Sequence, residues 1–260
     1  MGMARTNSQT TWVESDTLYS IAQAMQWLVR CLLHWFVLLL YYITDRMQLG
    51  GDEDSRRGCL LDKIAEAAQA GVDFIQLRER DLTARELERL ATEAVRRVRG
   101  TSNTKLLINS RVDVALAAGA DGVHLRSNDV AASEARAIWT KSAKRTDCIL
   151  GVSCHSLEDV LSAEGHGADF VVFGPVFGKQ GSAEPATGVE AIARIVNRGG
   201  PVDPKVEAGQ SLRMPVIALG GVTIENVASC IRAGAAGVAG IRLFQDGNVA
   251  DTVRQLKAAH

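Results

Sequence analysis

The sequence predicts a single (β/α)8 (TIM) barrel preceded by an N-terminal extension, and three observations lead there. Four related phrases, AGVDFIQL, AGADGVHL, HGADFVVF and AGAAGVAG, recur along the chain, each a helix-ending glycine followed by a short apolar strand. Short apolar runs alternate with segments of helical period eight times between residues 37 and 258. Polar residues gather just past the strands, at the end where parallel α/β proteins bind ligands. An open doubly wound sheet is the alternative, but it rarely uses eight evenly spaced units.

Composition agrees. At 260 residues the chain is long for an ordinary domain and normal for one barrel. The formal net charge of -1 gives no electrostatic reason to expect nucleic acid or an anionic membrane as partner. Five cysteines, Cys31, Cys59, Cys148, Cys154 and Cys230, are scattered without a CxxC pair. That pattern argues for a reducing, cytoplasmic setting and against a disulfide framework or a zinc site.

Residues 1–36 differ from the rest and are read as an N-terminal extension, helical or without fixed structure, ahead of a catalytic domain at 37–260. The apolar run Cys31 to Ile43 is too short for a membrane span, which needs about 20 apolar residues. It also follows some thirty residues of mostly polar chain, which is wrong for a signal peptide. Val37 to Ile43 is taken as the first strand, with Thr44-Asp45-Arg46 after it.

The strand–helix pairs are then 37–43 with 58–70, 72–78 with 83–99, 104–109 with 111–118, and 121–125 with 130–139. The remaining four are 148–153 with 156–165, 168–174 with 188–197, 214–219 with 223–233, and 235–241 with 248–258. Helix starts carry caps: Thr83 with Glu86, Ser156 with Asp159, Thr223 before Glu225, and Ser110 with Asp113. Gly119 supplies a left-handed stop after Ala118.

The strand ends hold the candidate chemistry. Strand two ends in Gln76-Leu77-Arg78-Glu79-Arg80, and two arginines there suit an anion; the competing reading pairs them with Glu79 or Asp81 on the surface. Asn109-Ser110 and Arg126 to Asp129 follow strands three and four. Strand five ends in Ser153-Cys154-His155: His155 either moves protons near neutral pH or simply bonds backbone, and Cys154 reads as a buried, inert thiol. Strand six opens into a Gly-rich loop, Gly178 to Gly188, long enough for a lid and carrying Lys179. Residues 199–211 read as a polar, solvent-exposed insertion. Strand seven runs into Gly220-Gly221 before a helix start, and strand eight ends near Arg242, the two loops that form phosphate sites in many barrels.

The phrases YYITDR, FIQLRER, LLINSRVDVALAAGADGVHL, GVSCHS, FVVFGPVF and PVIALGGVTIENV, in unbroken order over about residues 37–245, together resemble the thiamine phosphate synthase and TenI superfamily. The synthase branch joins a hydroxymethylpyrimidine diphosphate to a thiazole phosphate and releases pyrophosphate with Mg²⁺. The TenI branch includes thiazole tautomerases that move protons without metal.

By that resemblance Gln76, Arg78 and Arg80 match a QLREK diphosphate motif whose final Lys is Arg here. Asn109 matches a pyrimidine-diphosphate contact, and Ser110 stands where the family has an aspartate ligand of magnesium. Asp129 matches the second metal carboxylate, Ser153 and Lys179 the diphosphate contacts, and Gly221 a thiazole-phosphate glycine. Arg242 replaces a small residue, where it either binds that phosphate or obstructs it. The resemblance thus implies Mg²⁺ at Asp129 and Ser110, charge neutralisation by Arg78 and Lys179, and His155 as acid–base in a tautomerase. The partners expected are small phosphorylated substrates, with no nucleic acid and no membrane, and the sequence leaves open whether the chain forms a homo-oligomer. The retained Gln-Leu-Arg set and the GVHL…D phrase favour the synthase over the tautomerase and over a barrel that only senses a thiamine-precursor phosphate.

Overall fold

The computed structural model describes residues 38–100, 102–143, 147–178, 186–197 and 214–259. The N-terminal extension, Cys31, Lys179 and the 199–211 insertion lie outside the described residues. Eight parallel strands close into a barrel in sequence order, β1 (Leu39–Ile43), β2 (Phe74–Leu77), β3 (Lys105–Asn109), β4 (Gly122–Leu125), β5 (Ile149–Cys154), β6 (Phe170–Phe173), β7 (Val216–Leu219) and β8 (Gly237–Gly240). The last strand pairs with the first, Leu39 opposite Gly237 and Tyr41 opposite Ala239. The expected fold class holds.

Alternation along each strand divides the core in two. In β1, Leu40 and Tyr42 pack outward against the helices. Leu39, Tyr41 and Ile43 point inward with Leu107, Phe170, Val172 and Ile217. The inner layer is aromatic where Tyr41 meets Phe74 and Phe170 edge-on, at ring-centroid distances of 5.9 and 5.6 Å. Gly151 makes room for it: a Cβ there would stand 2.5 Å from the Phe170 ring and 2.9 Å from His124 Nδ1.

Nine described helices wrap this barrel: α1 (Glu53–Ala70), α2 (Ala84–Arg99), α3 (Val112–Ala118), α4 (Ala132–Ala143), α5 (Leu157–Gly165), α6 (Val189–Val196), α7 (Val227–Arg232), α8 (Arg242–Gln245) and α9 (Val249–Ala258). Thr83 and Ser156 each form a full capping box, and Gly119 ends α3 at φ 70°. Among the described residues no helix is long and apolar enough to cross a membrane.

Three local expectations are corrected. Helix α1 starts five residues earlier than the pattern suggests, because Asp52 caps it by accepting from Ser55 N at 2.9 Å. Thr223 does not cap α7: residues 224–226 form turns, and the helix begins only at Val227 with six residues. Ser110 does not cap α3 either. It sits at φ 61° with its N–H on the His124 carbonyl, and its hydroxyl reaches across to Asp129.

Candidate active site

At the C-terminal end of the barrel, neighbouring strands deliver a connected polar surface. Gln76, 2% exposed at the end of β2, donates from Nε2 to Asn109 Oδ1 on β3 at 2.8 Å. Asn109 Nδ2 donates to Ser110 Oγ at 3.1 Å, and Ser110 Oγ donates to Asp129 Oδ2 at 2.6 Å. Asp129 also accepts from Arg126, by its backbone N–H at 2.8 Å and its guanidinium at 2.9 and 3.1 Å. Burial pushes the Asp129 carboxyl up, but Ser110 and Arg126 together outweigh it and hold the carboxyl below its ordinary value.

Arg78 and Arg80 follow Gln76 past the end of β2, with the Arg78 backbone N–H on Thr44 Oγ1 at 3.0 Å. The surface-pair reading of these arginines fails, because another residue takes both carboxylates. Arg46, in the 3-10 turn Arg46–Gln48 after β1, bonds Glu79 Oε2 at 3.0 Å, Asp81 at 2.6 and 2.7 Å, and Glu53 at 2.9 Å. Glu79 also accepts from Thr44 Oγ1 at 2.6 Å and from the Arg46 backbone N–H. The Arg46 and Glu79 side chains are 3% and 1% exposed. Their preferences differ: burial pushes the Glu79 carboxyl up, whereas its carboxylate partners, Asp81 foremost, push Arg46 up. Three donors on one carboxylate make the ionised pair the state at neutral pH.

Among the described residues, no carboxylate forms an ion pair with Arg78 or Arg80. Arg78 is half-buried, and burial, then the like charge of Arg80, lowers its affinity for the proton it still holds. Asp45 and Glu79 oppose these effects only from a distance, and two guanidiniums without a direct carboxylate partner among the described residues suit an anion. Sequence patterning missed Arg46 and Glu79 as the devices that free them. The available signal was Thr44-Asp45-Arg46 placed at a strand end like the other polar clusters.

On β5, half-buried Ser153 bonds His124 Nε2 at 2.8 Å, and His124 Nδ1 bonds Tyr41 Oη at 3.0 Å. Burial, reinforced by the Arg78 charge and opposed by Asp129, pushes His124 down to about 3, so its ring is neutral. Sequence reading also missed this pair; a histidine amid the apolar GVHL strand was the signal. His155 is exposed, and its Nδ1 lies 2.6 Å from the Gly174 carbonyl. A carbonyl only accepts, so Nδ1 carries a proton in that bond. Of the two readings of His155, the bond to backbone is the one this contact records. Burial pushes the Cys154 thiol up to about 12, consistent with an inert core cysteine.

The turns after β7 and β8 are neighbours in the sheet. Gly220 and Gly221 have φ of 97° and 66°. A Cβ on Gly221 would come within 2.8 Å of Phe177 Cβ and 2.9 Å of its carbonyl oxygen. The glycines thus pack the β7 turn against Pro175 and Phe177, and the short α7 lends little dipole to an anion there. Arg242, exposed, opens α8 beside this turn.

Among the described residues no three His, Cys, Asp or Glu side chains cluster to cage a metal. Mg²⁺ that arrives on phosphate oxygens needs only one or two carboxylates, and Asp129 with the Ser110 hydroxyl and Asn109 amide meets that requirement. The exposed guanidinium of Arg126 is the group that must yield a lone pair of Asp129.

A family model described as thiamine monophosphate synthase matches residues 40–244. A thiamine-phosphate synthase of Roseiflexus sp. is 35% identical over 203 residues, 77% of this chain and 75% of its own. One of Caldanaerobacter subterraneus subsp. tengcongensis is 32% identical over 226 residues, 85% of this chain and 94% of its own. The solved thiamine phosphate pyrophosphorylase from Pyrococcus furiosus superposes with a TM-score of 0.67 at 28% identity, covering 86% of this chain and 96% of that one.

Proposed function

The chain belongs to the thiamine monophosphate synthase family, and from that premise we propose that it joins hydroxymethylpyrimidine diphosphate to thiazole phosphate, giving thiamine phosphate and pyrophosphate. The observation that carries this reading is the pair Arg78 and Arg80, without an ion-pair partner among the described residues because Arg46 occupies Glu79 and Asp81, on the strand end whose Gln76 opens the Gln76–Asn109–Ser110–Asp129 chain.

In this reading the bond between the pyrimidine methylene carbon and its diphosphate oxygen breaks, and the electron pair leaves with pyrophosphate. Arg78, Arg80, Ser153 and Lys179 stabilise the charge that grows on the leaving group. Gln76 and Asn109, tied to each other, orient the pyrimidine diphosphate. Gly221 and Arg242 hold the thiazole phosphate, so that the ring nitrogen attacks the cationic carbon. Asp129, supported by Ser110, would hold Mg²⁺, which supplies further neutralisation of the diphosphate. No side-chain nucleophile is needed.

His155 supports a second reading. Its Nδ1–H is fixed on the Gly174 carbonyl, leaving Nε2 as a base of the kind a thiazole tautomerase uses. An assay of the purified chain with both phosphorylated substrates, with Mg²⁺ and in EDTA, separates the cases. The synthase needs both substrates and metal. A tautomerase converts one substrate in EDTA. A barrel that only senses a thiamine-precursor phosphate binds ligand and turns over nothing.

A further inference from the structure

Inside the barrel, beneath the mouth, Tyr41 Oη, the two ring nitrogens of His124 and Ser153 Oγ form one line of hydrogen bonds at 3.0 and 2.8 Å. Tyr41 and His124 are 83 residues apart, and His124 and Ser153 are 29 apart. Closure of the barrel creates the line. Its direction follows from counting donors.

The Tyr41 ring is fully buried among Phe74, Phe170 and aliphatic side chains. Among the described residues the hydroxyl's one hydrogen-bond partner is His124 Nδ1. If Nδ1 carried the proton, Tyr41 Oη would accept it and the phenolic O–H would point into hydrocarbon unpaired, an expensive state for a buried donor. Tyr41 therefore donates to Nδ1. The ring is neutral in its buried setting, so its single proton sits on Nε2, and Nε2–H donates to Ser153 Oγ. Ser153 then has a lone pair occupied, and among the described residues its own O–H has no acceptor.

We propose that Tyr41 and His124 are positioning residues that fix Ser153 as a hydrogen-bond donor toward the barrel mouth, and so select an anionic acceptor, a diphosphate oxygen, at that position. This rests on the reading of Ser153 as a diphosphate contact. With Nε2–H on its oxygen, the serine meets an anion better than an amino group or another donor. It also keeps its orientation without moving a proton, because the relay starts at a phenol that has no other acceptor. Gly151 is part of the device, since any Cβ there would displace His124 and Phe170.

The first test needs no variant. Long-range ¹H–¹⁵N spectra of the ¹⁵N-histidine-labelled chain should show His124 as the Nε2–H tautomer, unchanged on adding inorganic pyrophosphate with Mg²⁺. An Nδ1–H tautomer or an imidazolium overturns the proposal. The second is a kinetic cycle of Tyr41→Phe, Ser153→Ala and the double variant. Tyr41→Phe should lower kcat about tenfold, the scale of one misdirected hydrogen bond. In the Ser153→Ala background the same change should cost less than about twofold, because residues acting through one partner are not additive. An equal loss in both backgrounds, or none in either, overturns the relay. A large Ser153→Ala loss beside an unaffected Tyr41→Phe rejects the relay and leaves the site reading standing. An inert Ser153→Ala rejects the serine's place at the diphosphate, and the relay's function with it.

Discussion

Replacing His124 by Gln should remove most of the acid sensitivity of folding between about pH 7 and about pH 5. His124 is 2% exposed and held neutral, its ring pushed from 6.5 to about 3 by burial and then by the Arg78 charge. An unfolded histidine titrates near its ordinary value, so on acidification the unfolded chain takes a proton that the folded chain refuses. The stabilising contribution of the neutral ring is therefore complete above 6.5 and is lost progressively as pH falls from there toward about 3. Below the unfolded value the loss approaches about 1.4 kcal/mol per pH unit, which gives about 2 kcal/mol between about pH 7 and about pH 5. Glu86 and Glu93, held down to about 2 chiefly by their side-chain hydrogen bonds with Thr83 and Arg96, start from an ordinary value of 4.5 and contribute mainly below this window. Glu79, pushed up by burial, acts in the opposite sense. Urea unfolding followed by far-UV circular dichroism at three pH values, for the chain and for His124→Gln, measures the difference. Gln keeps an amide donor for Ser153, which limits the structural cost. Equal pH dependence in the two proteins would refute the reasoning, as would an NMR titration of His124 near 6.5 in the folded chain.

Three further outcomes are expected. Arg46→Met should destabilise the fold by about 3–5 kcal/mol, the cost of stranding a buried carboxylate, and Arg46→Met with Glu79→Met should recover much of it; denaturant midpoints check this, and a single-variant loss under about 1 kcal/mol would show that the pair is not load-sharing. Asp129→Ala should abolish synthase turnover, while Ser110→Asp should lower the Mg²⁺ needed for half-maximal rate and, without metal, weaken the fold, since its carboxylate lands where Ser110 Oγ is 2.6 Å from Asp129; a Mg²⁺ titration of initial rate reads both, and turnover surviving Asp129→Ala in EDTA would favour the tautomerase. Gly221→Ala should cost about 1–3 kcal/mol from its φ of 66° and its approach to Phe177, and should raise the Michaelis constant of thiazole phosphate more than that of the pyrimidine diphosphate; equal rises would reject the phosphate assignment.

Much of this molecule is written locally. The apolar runs at 105–109 and 122–125, the capping boxes at Thr83 and Ser156, and the left-handed Gly119 each depend on neighbours a few residues away, so the strand–helix alternation and the closed barrel were legible in the chain itself. Because strand direction fixes which end each loop leaves from, the placement of Gln76–Arg80, Asn109–Ser110, Asp129 and Ser153–His155 at one end of the barrel was legible too. Partner choice was not. Arg46 meets Glu79 across 33 residues, Ser110 meets Asp129 across 19, and Tyr41 meets His124 across 83. Each pairing is set by the register of strands around the closed sheet, which no local pattern encodes. The tertiary structure therefore decided that Glu79 and Asp81 pair with Arg46 rather than with Arg78 or Arg80, that Ser110 serves Asp129 rather than its own helix, and that a neutral histidine stands behind Ser153. The reason is physical: capping and periodicity are settled within one turn of chain, whereas burial of a charge or a ring nitrogen is settled only by whatever the barrel's closure places against it.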